Sequence, residues 1–207
     1  MKRGVLTTLR DVMPLRSLTQ NEAYRIAELQ VDRLLKLAGV EQAPVPVERL
    51  IGEIPKVHVR YTKPFPLSGC TEWIGSAWSV TINAGEPRVR QRFTVAHEFK
   101  HVLDNRFIHI LYPDFYSMNS HDRTEAVCNY FAGCLLVPRP WLKKAWASGI
   151  QSPAVLARMF DVSTAAIEVR LSQTGLDQGR ARCDWSPKRG SRYDRSDGVV
   201  TECEVAA

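Results

Sequence analysis

The strongest constraint on this chain is the segment 94–101, T-V-A-H-E-F-K-H, which places two imidazoles four residues apart with a carboxylate after the first. On an α-helix, residues four apart lie on one face, so His97 and His101 can both reach one metal ion. Glu98 lies about a quarter-turn further round the helix, where it can face a water beside the metal. A zinc hydrolase needs this arrangement of two neutral nitrogen ligands, an open coordination position and a general base.

The surrounding residues favour a helix that is partly buried. Residues 83–87 read as a loop, and Pro87 suits the first turn of a helix. Four apolar residues then recur at helical spacing and predict a buried stripe: Val89, Phe93, Ala96 and Leu103. Asp104, three residues after His101, is a predicted acceptor for an imidazole N–H. The alternative is a surface helix with two solvated histidines, which the apolar stripe disfavours.

A third metal ligand is available in a second predicted helix, residues 124–137, which ends before Pro138. This helix is mostly apolar, but Glu125 and Asn129 lie four residues apart on one of its faces. Glu125 would complete a His-His-Glu ligand set and leave the fourth position to water. Alternatively, Glu125 stabilises the helix N-terminus through the dipole or a capping box with Asp122. Because of the preceding motif, we favour Glu125 as a ligand.

Two motifs together resemble the ImmA/IrrE family of metallopeptidases: F-T-V-A-H-E-F-K-H at 93–101 and E-x-x-x-N-x-F-A-x-x-L-L-x-P from Glu125 to Pro138. The likeness covers about residues 20–176. Members of that family are zinc-dependent and gluzincin-like. Several act as antirepressors, which cleave a helix-turn-helix repressor and so switch on mobile-element or stress-response genes.

Matching positions carry the family's site residues onto this sequence. The resemblance implies a Zn²⁺ site with these residues: His97, His101 and Glu125 as ligands and Glu98 as the general base. It assigns no role to Asn129, which is also part of the motif. Lys100 and Cys128 depart from the small residue and the alanine that the family often has there. Lys100 is expected either to add positive charge near the metal or to point to solvent.

The order of predicted elements gives an α+β fold. A capping box at 19–22 begins a helix that ends at Gly39, and a short helix follows at 46–52. Three segments then have β character: 56–61, 69–75 and 76–83. With the resemblance, this predicts a zincin-like, mostly helical domain with a small three-stranded sheet beside the H-E-x-x-H helix. An exposed edge of that sheet can hold an extended peptide over the metal by backbone hydrogen bonds.

The chain divides into three predicted regions. Residues 1–18 show no strong pattern and are expected to be an N-terminal extension, followed by the metallopeptidase domain at 19–176. Residues 177–207 are rich in Gly, Ser, Arg and Asp and are expected to be a disordered tail. Within the domain, the helices predicted at 140–175 resemble a helix-turn-helix. Their last helix offers DNA only Glu168 and Arg170 as charged residues, so packing or partner docking is favoured over DNA binding.

Composition indicates an intracellular location and gives little sign of nucleic-acid binding. The 207 residues are 44% apolar, enough for one substantial core, and contain no apolar run that could span a bilayer. The N-terminus is too charged for a signal peptide, and the five cysteines form no C-x-x-C pair, as expected in a reducing cytoplasm. The net charge of +6 is spread along the chain. Its local cluster at Arg88, Arg90 and Arg92 is expected to be a solvated helix face.

These features predict a cytoplasmic zinc metallo-endopeptidase whose protein substrate is a helix-turn-helix repressor. The alternative is a non-proteolytic regulator that binds a repressor, or DNA through residues 153–173. A nucleophilic Cys128 is disfavoured. The loop between the two motif helices offers four candidates for a second oxyanion donor, among which the sequence does not choose: Tyr112, Tyr116, His109 and His121.

Overall fold

Helices form most of the chain, and one small sheet follows the third of them. The computed structural model describes residues 4–113 and 118–177, and only the backbone at 118–122. Within these ranges the helices are α1 (Val5–Arg10), α2 (Gln20–Ala38), α3 (Val47–Gly52), α4 (Arg88–Asp104), α5 (Ile108–Leu111), α6 (Met118–Leu136), α7 (Arg139–Ala147), α8 (Pro153–Phe160) and α9 (Thr164–Thr174). The strands are β1 (Val57–Thr62), β2 (Gly69–Ile74) and β3 (Ala77–Asn83). The predicted α+β class is confirmed.

The sheet has the strand order β1-β3-β2 and mixed strand directions. β1 is parallel to β3, and β2 is antiparallel to β3 across a tight turn at Gly75, whose φ of 62° suits glycine. On β3, Val80 and Ile82 are fully buried, as the alternating pattern predicts. Of the strands described, β3 is central, and β1 and β2 form the two edges. β2 and β3 both contact α4.

Helix α4 carries the H-E-x-x-H motif and lies between the sheet and α6. It begins at Arg88, which makes Pro87 the N-cap residue, one position before the first turn in which the sequence predicts it. Ala96 and Leu103 of the predicted stripe are fully buried, whereas Val89 and Phe93 are only partly buried. The helix is more deeply enclosed than predicted, because elements pack on several of its sides.

Helix α6 begins at Met118, six residues before the predicted start at position 124. It ends at Leu136, before Pro138, as expected for a residue that cannot continue a helix. Glu125 is therefore two turns inside the helix. The alternative role for Glu125, at the helix N-terminus or in a capping box with Asp122, is wrong for this reason.

The N-terminal region adds a helix that the sequence pattern did not predict. Leu9 of α1 is fully buried against the main core. The Arg10 side chain donates to the carbonyl oxygens of Val102 at 2.7 Å and Leu103 at 3.1 Å. These bonds satisfy carbonyls near the C-terminal end of α4. The other predicted terminal region, the disordered tail, falls at 178–207 outside the described residues, with Asp177 as its one described residue.

Arg92 is buried, contrary to the expectation of a solvated helix face. Its side chain is 2% exposed and lies 3.1 Å from a Glu48 carboxylate oxygen and 3.2 Å from one of Asp161. It also donates to the carbonyl oxygen of Val45 at 2.8 Å. Arg92 therefore joins α4 to α3 and to the turn between α8 and α9.

Arg170 is likewise buried and is not available to DNA. Its guanidinium donates to the carbonyl oxygen of Val137 at 3.3 Å and to Gln173 at 2.8 Å. The tight turn between α8 and α9 resembles a helix-turn-helix, but α9 then offers only Glu168 as an accessible charge. The packing interpretation of residues 153–173 is therefore favoured. Among the described residues, no helix is long and apolar enough to cross a membrane.

Candidate metal centre and active site

The two motif histidines converge on one point at the surface of α4. The Nε2 atoms of His97 and His101 are 3.1 Å apart, and the side chains are 13% and 26% exposed. Two imidazole nitrogens that both present lone pairs repel each other at this distance. One nitrogen therefore carries a hydrogen that it donates to the other, or both present their lone pairs to a shared cation.

Glu125 reaches the same point from α6. One carboxylate oxygen lies 3.2 Å from Nε2 of His97, and the other lies 3.3 Å from Nε2 of His101. Hydrogen bonds from His101 and His97 hold the pKa of Glu125 well below its usual range, so the carboxylate is charged at neutral pH. Burial lowers the pKa of His101, but the hydrogen bond and the charge of Glu125 outweigh this effect and raise it overall. The structure thus brings together the three side chains that the sequence selects as ligands.

The spacing of these atoms fits a zinc ion. Zn–N and Zn–O bonds of about 2.0–2.2 Å place neighbouring ligand atoms roughly 3.3–3.6 Å apart at the tetrahedral angle. The observed separations of 3.1, 3.2 and 3.3 Å are close to that range. Glu125 is 35% exposed, so solvent reaches the cluster. Two imidazoles, one carboxylate and solvent access match the donor set of a catalytic zinc site.

Cys128 offers a different third donor on the same helix. Its sulfur and ligand nitrogens of His97 and His101 all lie within 4.8 Å of one another. However, Cys128 is fully buried, and burial raises the pKa of its thiol well above the usual value. A protonated thiol is a poor metal ligand and a poor nucleophile. Glu125 is ionised and each of its oxygens lies near one histidine nitrogen, which favours this carboxylate over the thiol as the third donor.

Glu98 lies beside this cluster, on the side of α4 that faces the sheet. Its side chain is buried and accepts a 2.7 Å hydrogen bond from the Thr71 hydroxyl on β2. The strand approaches this closely because it contains Gly69. A Cβ atom there would lie 2.5 Å from Thr94 Cγ2 and 3.1 Å from a Glu98 carboxylate oxygen. Thr71 and Gly69, which the sequence did not single out as site residues, therefore set the position of Glu98.

Asn129 receives a role that the sequence could not assign. Its side-chain oxygen lies 3.0 Å from Nδ1 of His97. With this oxygen as acceptor, Nδ1 carries the proton and Nε2 keeps the lone pair that a metal needs. The acceptor expected for an imidazole N–H was Asp104, and this expectation is wrong. The sequence signal for this role is the position of Asn129, one turn after Glu125 on the same helix.

Asp104 belongs to a separate buried network. It accepts hydrogen bonds from Lys100 at 2.7 Å and from the Tyr112 hydroxyl at 3.3 Å, and Lys100 also donates to Gln30 at 2.9 Å. Lys100 is 1% exposed. Both expectations for Lys100, a charge beside the metal or a solvated side chain, are wrong because Asp104 neutralises it within the core.

The structure describes the side chains of two of the four candidate oxyanion donors, Tyr112 and His109. Tyr112 is 3% exposed, and burial raises the pKa of its hydroxyl, which donates to Asp104. These contacts disfavour Tyr112. His109 is exposed on α5. The side chains of Tyr116 and His121 lie outside those that the structure describes.

Comparison with known proteins identifies the family. The model of the Peptidase M78 family, described as the IrrE N-terminal-like domain, matches residues 47–172, which is more than half of the chain. The chain belongs to this family. The match spans both α4 and α6, and the predicted ImmA/IrrE membership is confirmed. The M78 peptidases are metallopeptidases, so membership implies a metal ion.

The fold also resembles that of a solved protein, a Mycobacterium tuberculosis transcriptional regulator. The TM-score is 0.59 and the sequence identity 16%, over 82% of this chain and 52% of the regulator. This chain therefore spans about half of the regulator's length. At this identity the likeness shows the fold alone. Among curated proteins, none matches the M78 chain.

Proposed function

We propose that this M78 chain is a zinc-dependent metallo-endopeptidase that hydrolyses a peptide bond in a helix-turn-helix transcriptional repressor. The observation that carries the proposal is the convergence of His97, His101 and Glu125 within 3.3 Å of one another. Glu98 adds a buried carboxylate next to them on α4. Family membership supports peptide hydrolysis, and the donor set supports a dependence on metal.

Four residues would prepare the site for a zinc ion. The Nε2 atoms of His97 and His101 and the carboxylate of Glu125 would hold it. Asn129 would fix the His97 ring and its tautomer through the 3.0 Å contact at Nδ1. When bound, zinc supplies Lewis-acid chemistry, which acidifies water and polarises a carbonyl.

Glu98 would move the proton in the reaction. Its carboxylate accepts a proton from the attacking water while the water oxygen bonds to the carbonyl carbon of the substrate. The same group then gives that proton to the amine nitrogen as the C–N bond breaks, which leaves a carboxylic acid and an amine. Thr71 orients Glu98 by donating to one of its oxygens at 2.7 Å.

Strand β2 would position the substrate. It is an edge of the described sheet and contains Gly69 and Thr71, the two residues that lie against Glu98. A peptide that pairs with this edge in an extended form would pass next to the carboxylate. Backbone hydrogen bonds would then hold the scissile bond in place with little demand on sequence.

A repressor is the proposed substrate for two reasons. The resemblance to the ImmA/IrrE family implies antirepressors that cleave helix-turn-helix proteins. The solved protein with the similar fold is itself a transcriptional regulator. Both support a role in gene regulation for a peptidase of this fold.

Co-expression with a candidate repressor tests the proposal. The wild-type chain should convert the repressor to two fragments on a gel, and Glu98→Gln should leave it intact. Elemental analysis of both purified proteins should give one zinc per chain, because Glu98 is not a ligand in this scheme. Cleavage by Glu98→Gln at the wild-type rate would rule out the proposed base. If the wild-type chain also leaves the repressor intact and both forms relieve repression, the chain is a non-proteolytic regulator that binds the repressor.

A further inference from the structure

A cavity of about 550 Å³ lies beside the candidate metal centre, between α4, α6 and α9. It meets the centre at two residues. Phe93 is one turn before His97 on α4, and its ring centroid is 6.4 Å from that of His97. Asn129, which contacts His97, also lines the cavity. The cavity therefore adjoins the candidate metal centre.

The walls of the cavity are mainly apolar. Its large apolar lining residues come from all three helices and the turn before α9: Val89, Phe93, Leu136, Val162 and Val169. Small residues on α6 and α9 leave the space between them open: Ala126, Gly133 and Ala166. An apolar, largely preformed cleft of this volume is typical of a ligand-binding pocket.

Helix α9 is held in place as one wall by Arg170. The buried guanidinium donates to the carbonyl oxygen of Val137 and lies over the Tyr130 ring, 5.6 Å from its centroid. Gly133 makes room for it, since a Cβ atom there would lie 3.1 Å from Arg170 Cδ. Helix α9, the second of the two helices that resemble a DNA-binding motif, therefore forms part of the cavity beside the candidate metal centre.

We propose that this cavity is the specificity pocket of the M78 chain and accepts a large apolar side chain next to the scissile bond. This inference rests on the proposed peptidase function. Leucine, methionine and phenylalanine suit the apolar walls, whereas a basic side chain would lose its hydration and meet the like charges of Arg90 and Arg170 in the lining. An apolar pocket discriminates by about tenfold or more for each methylene that it buries.

Affinity selection tests the pocket without requiring catalysis. A library of blocked random peptides is passed over immobilised, zinc-loaded Glu98→Gln chain, and the retained peptides are sequenced. We expect Leu, Met or Phe to exceed Ala by roughly tenfold or more at one position. In parallel, cleavage sites of the wild-type chain in the same library are mapped by mass spectrometry and should show the same preference next to the cut bond.

Two substitutions should change this selection, and a third is the matched control. Ala126→Phe fills the cavity and should abolish the preference for large residues. Val169→Lys, at a position that is 55% exposed, introduces a charge at the mouth without disturbing the core and should have the same effect. Val155→Lys is the same change on α8, at a 39% exposed valine that does not line the cavity. It should leave the selection unchanged.

The outcomes separate this inference from the proposed function. A wild-type chain that cuts neither the library nor a co-expressed repressor, together with a Glu98→Gln chain that still selects large apolar residues, would refute the peptidase and support binding of such side chains in the cavity. Cleavage without any preference next to the cut bond would refute the pocket and support the peptidase. If Ala126→Phe and Val169→Lys both select as the parent chain does, the cavity serves another occupant, such as a second copy of this chain, and the inference is wrong.

Discussion

Two polar clusters lie on helix α4, and they differ in whether the protein itself completes them. In the core, Lys100 donates to Asp104 at 2.7 Å and to Gln30 at 2.9 Å, so the cation and the carboxylate neutralise each other. At the surface, His97 and His101 face each other and the ionised Glu125. Among the described residues, no Lys or Arg side chain forms an ion pair with Glu125 in this second cluster.

The difference distinguishes a structural role from a functional one. A buried ion pair has little to gain from a ligand, because its donors and acceptors are already matched. A cluster with an excess of lone pairs and negative charge, still open to solvent, gains from a bound cation. A titratable group on this helix is therefore a candidate for catalysis or metal binding when the protein itself does not already match its hydrogen bonds and charge.

Loss of Glu125 should have the largest effect on metal binding. Glu125→Ala removes the charged ligand, so zinc affinity should fall by more than the ~10–100-fold that the loss of a supporting residue costs. Cys128→Ala is the control, because the alternative donor set includes this thiol. Competition with a chelating dye measures both affinities. A loss of affinity in Cys128→Ala with normal binding by Glu125→Ala would reverse the assignment of the third ligand.

Lys100→Met should affect stability and leave metal binding intact. It leaves the Asp104 carboxylate buried without its cation, so the free energy of unfolding should fall by about 3–5 kcal/mol. Urea denaturation in the presence of a chelator measures this change. The double variant Lys100→Met/Asp104→Leu should recover part of the loss, since no unpaired charge then remains in the core. Weaker zinc binding by folded Lys100→Met would show that the two clusters are not separate.

Asn129→Ala should weaken zinc binding by an intermediate amount. Without the acceptor at Nδ1, the His97 ring loses its fixed orientation and tautomer, and affinity should fall by about 10–100-fold. Asn129→Asp keeps an acceptor oxygen and should retain most of the affinity. Equal losses in both variants would mean that Asn129 acts through packing and not through His97.

Thr71→Val should have the smallest effect of these substitutions, and only the catalytic rate should change. The variant keeps the shape of the side chain but removes the hydrogen bond to Glu98, so kcat should fall by about tenfold. Zinc content and the unfolding midpoint should stay close to those of the wild type. A normal kcat would show that Thr71 does not orient the base.

Most elements were predictable where a local signal marks them. The capping box of Thr19 and Glu22 and the left-handed Gly39 mark both ends of α2. The alternation along β3 likewise predicts a strand with one buried face. By contrast, the first turns of α6 have the polar sequence M-N-S-H-D-R, which carries no apolar stripe, so the sequence predicts the start of this helix six residues too late.

The site was predictable to the extent that its residues lie four apart on a helix. His97, His101 and Glu125 follow from such spacing and from the motif resemblance. The contact of Lys100 with Gln30 does not follow from it, because Gln30 is 70 residues away and meets Lys100 only after α2 packs in the core. Helix α9 forms one wall of the apolar cavity beside His97, and no local sequence pattern indicates that this helix lies near the site.

X-ray absorption at the zinc edge of the purified, metal-loaded chain tests the central claim most directly. Our account predicts one zinc per chain, two imidazole ligands and only nitrogen and oxygen neighbours at about 2.0–2.2 Å. A sulfur neighbour at about 2.3 Å would place Cys128 in the site instead of Glu125. A folded chain that binds no zinc would contradict the account altogether.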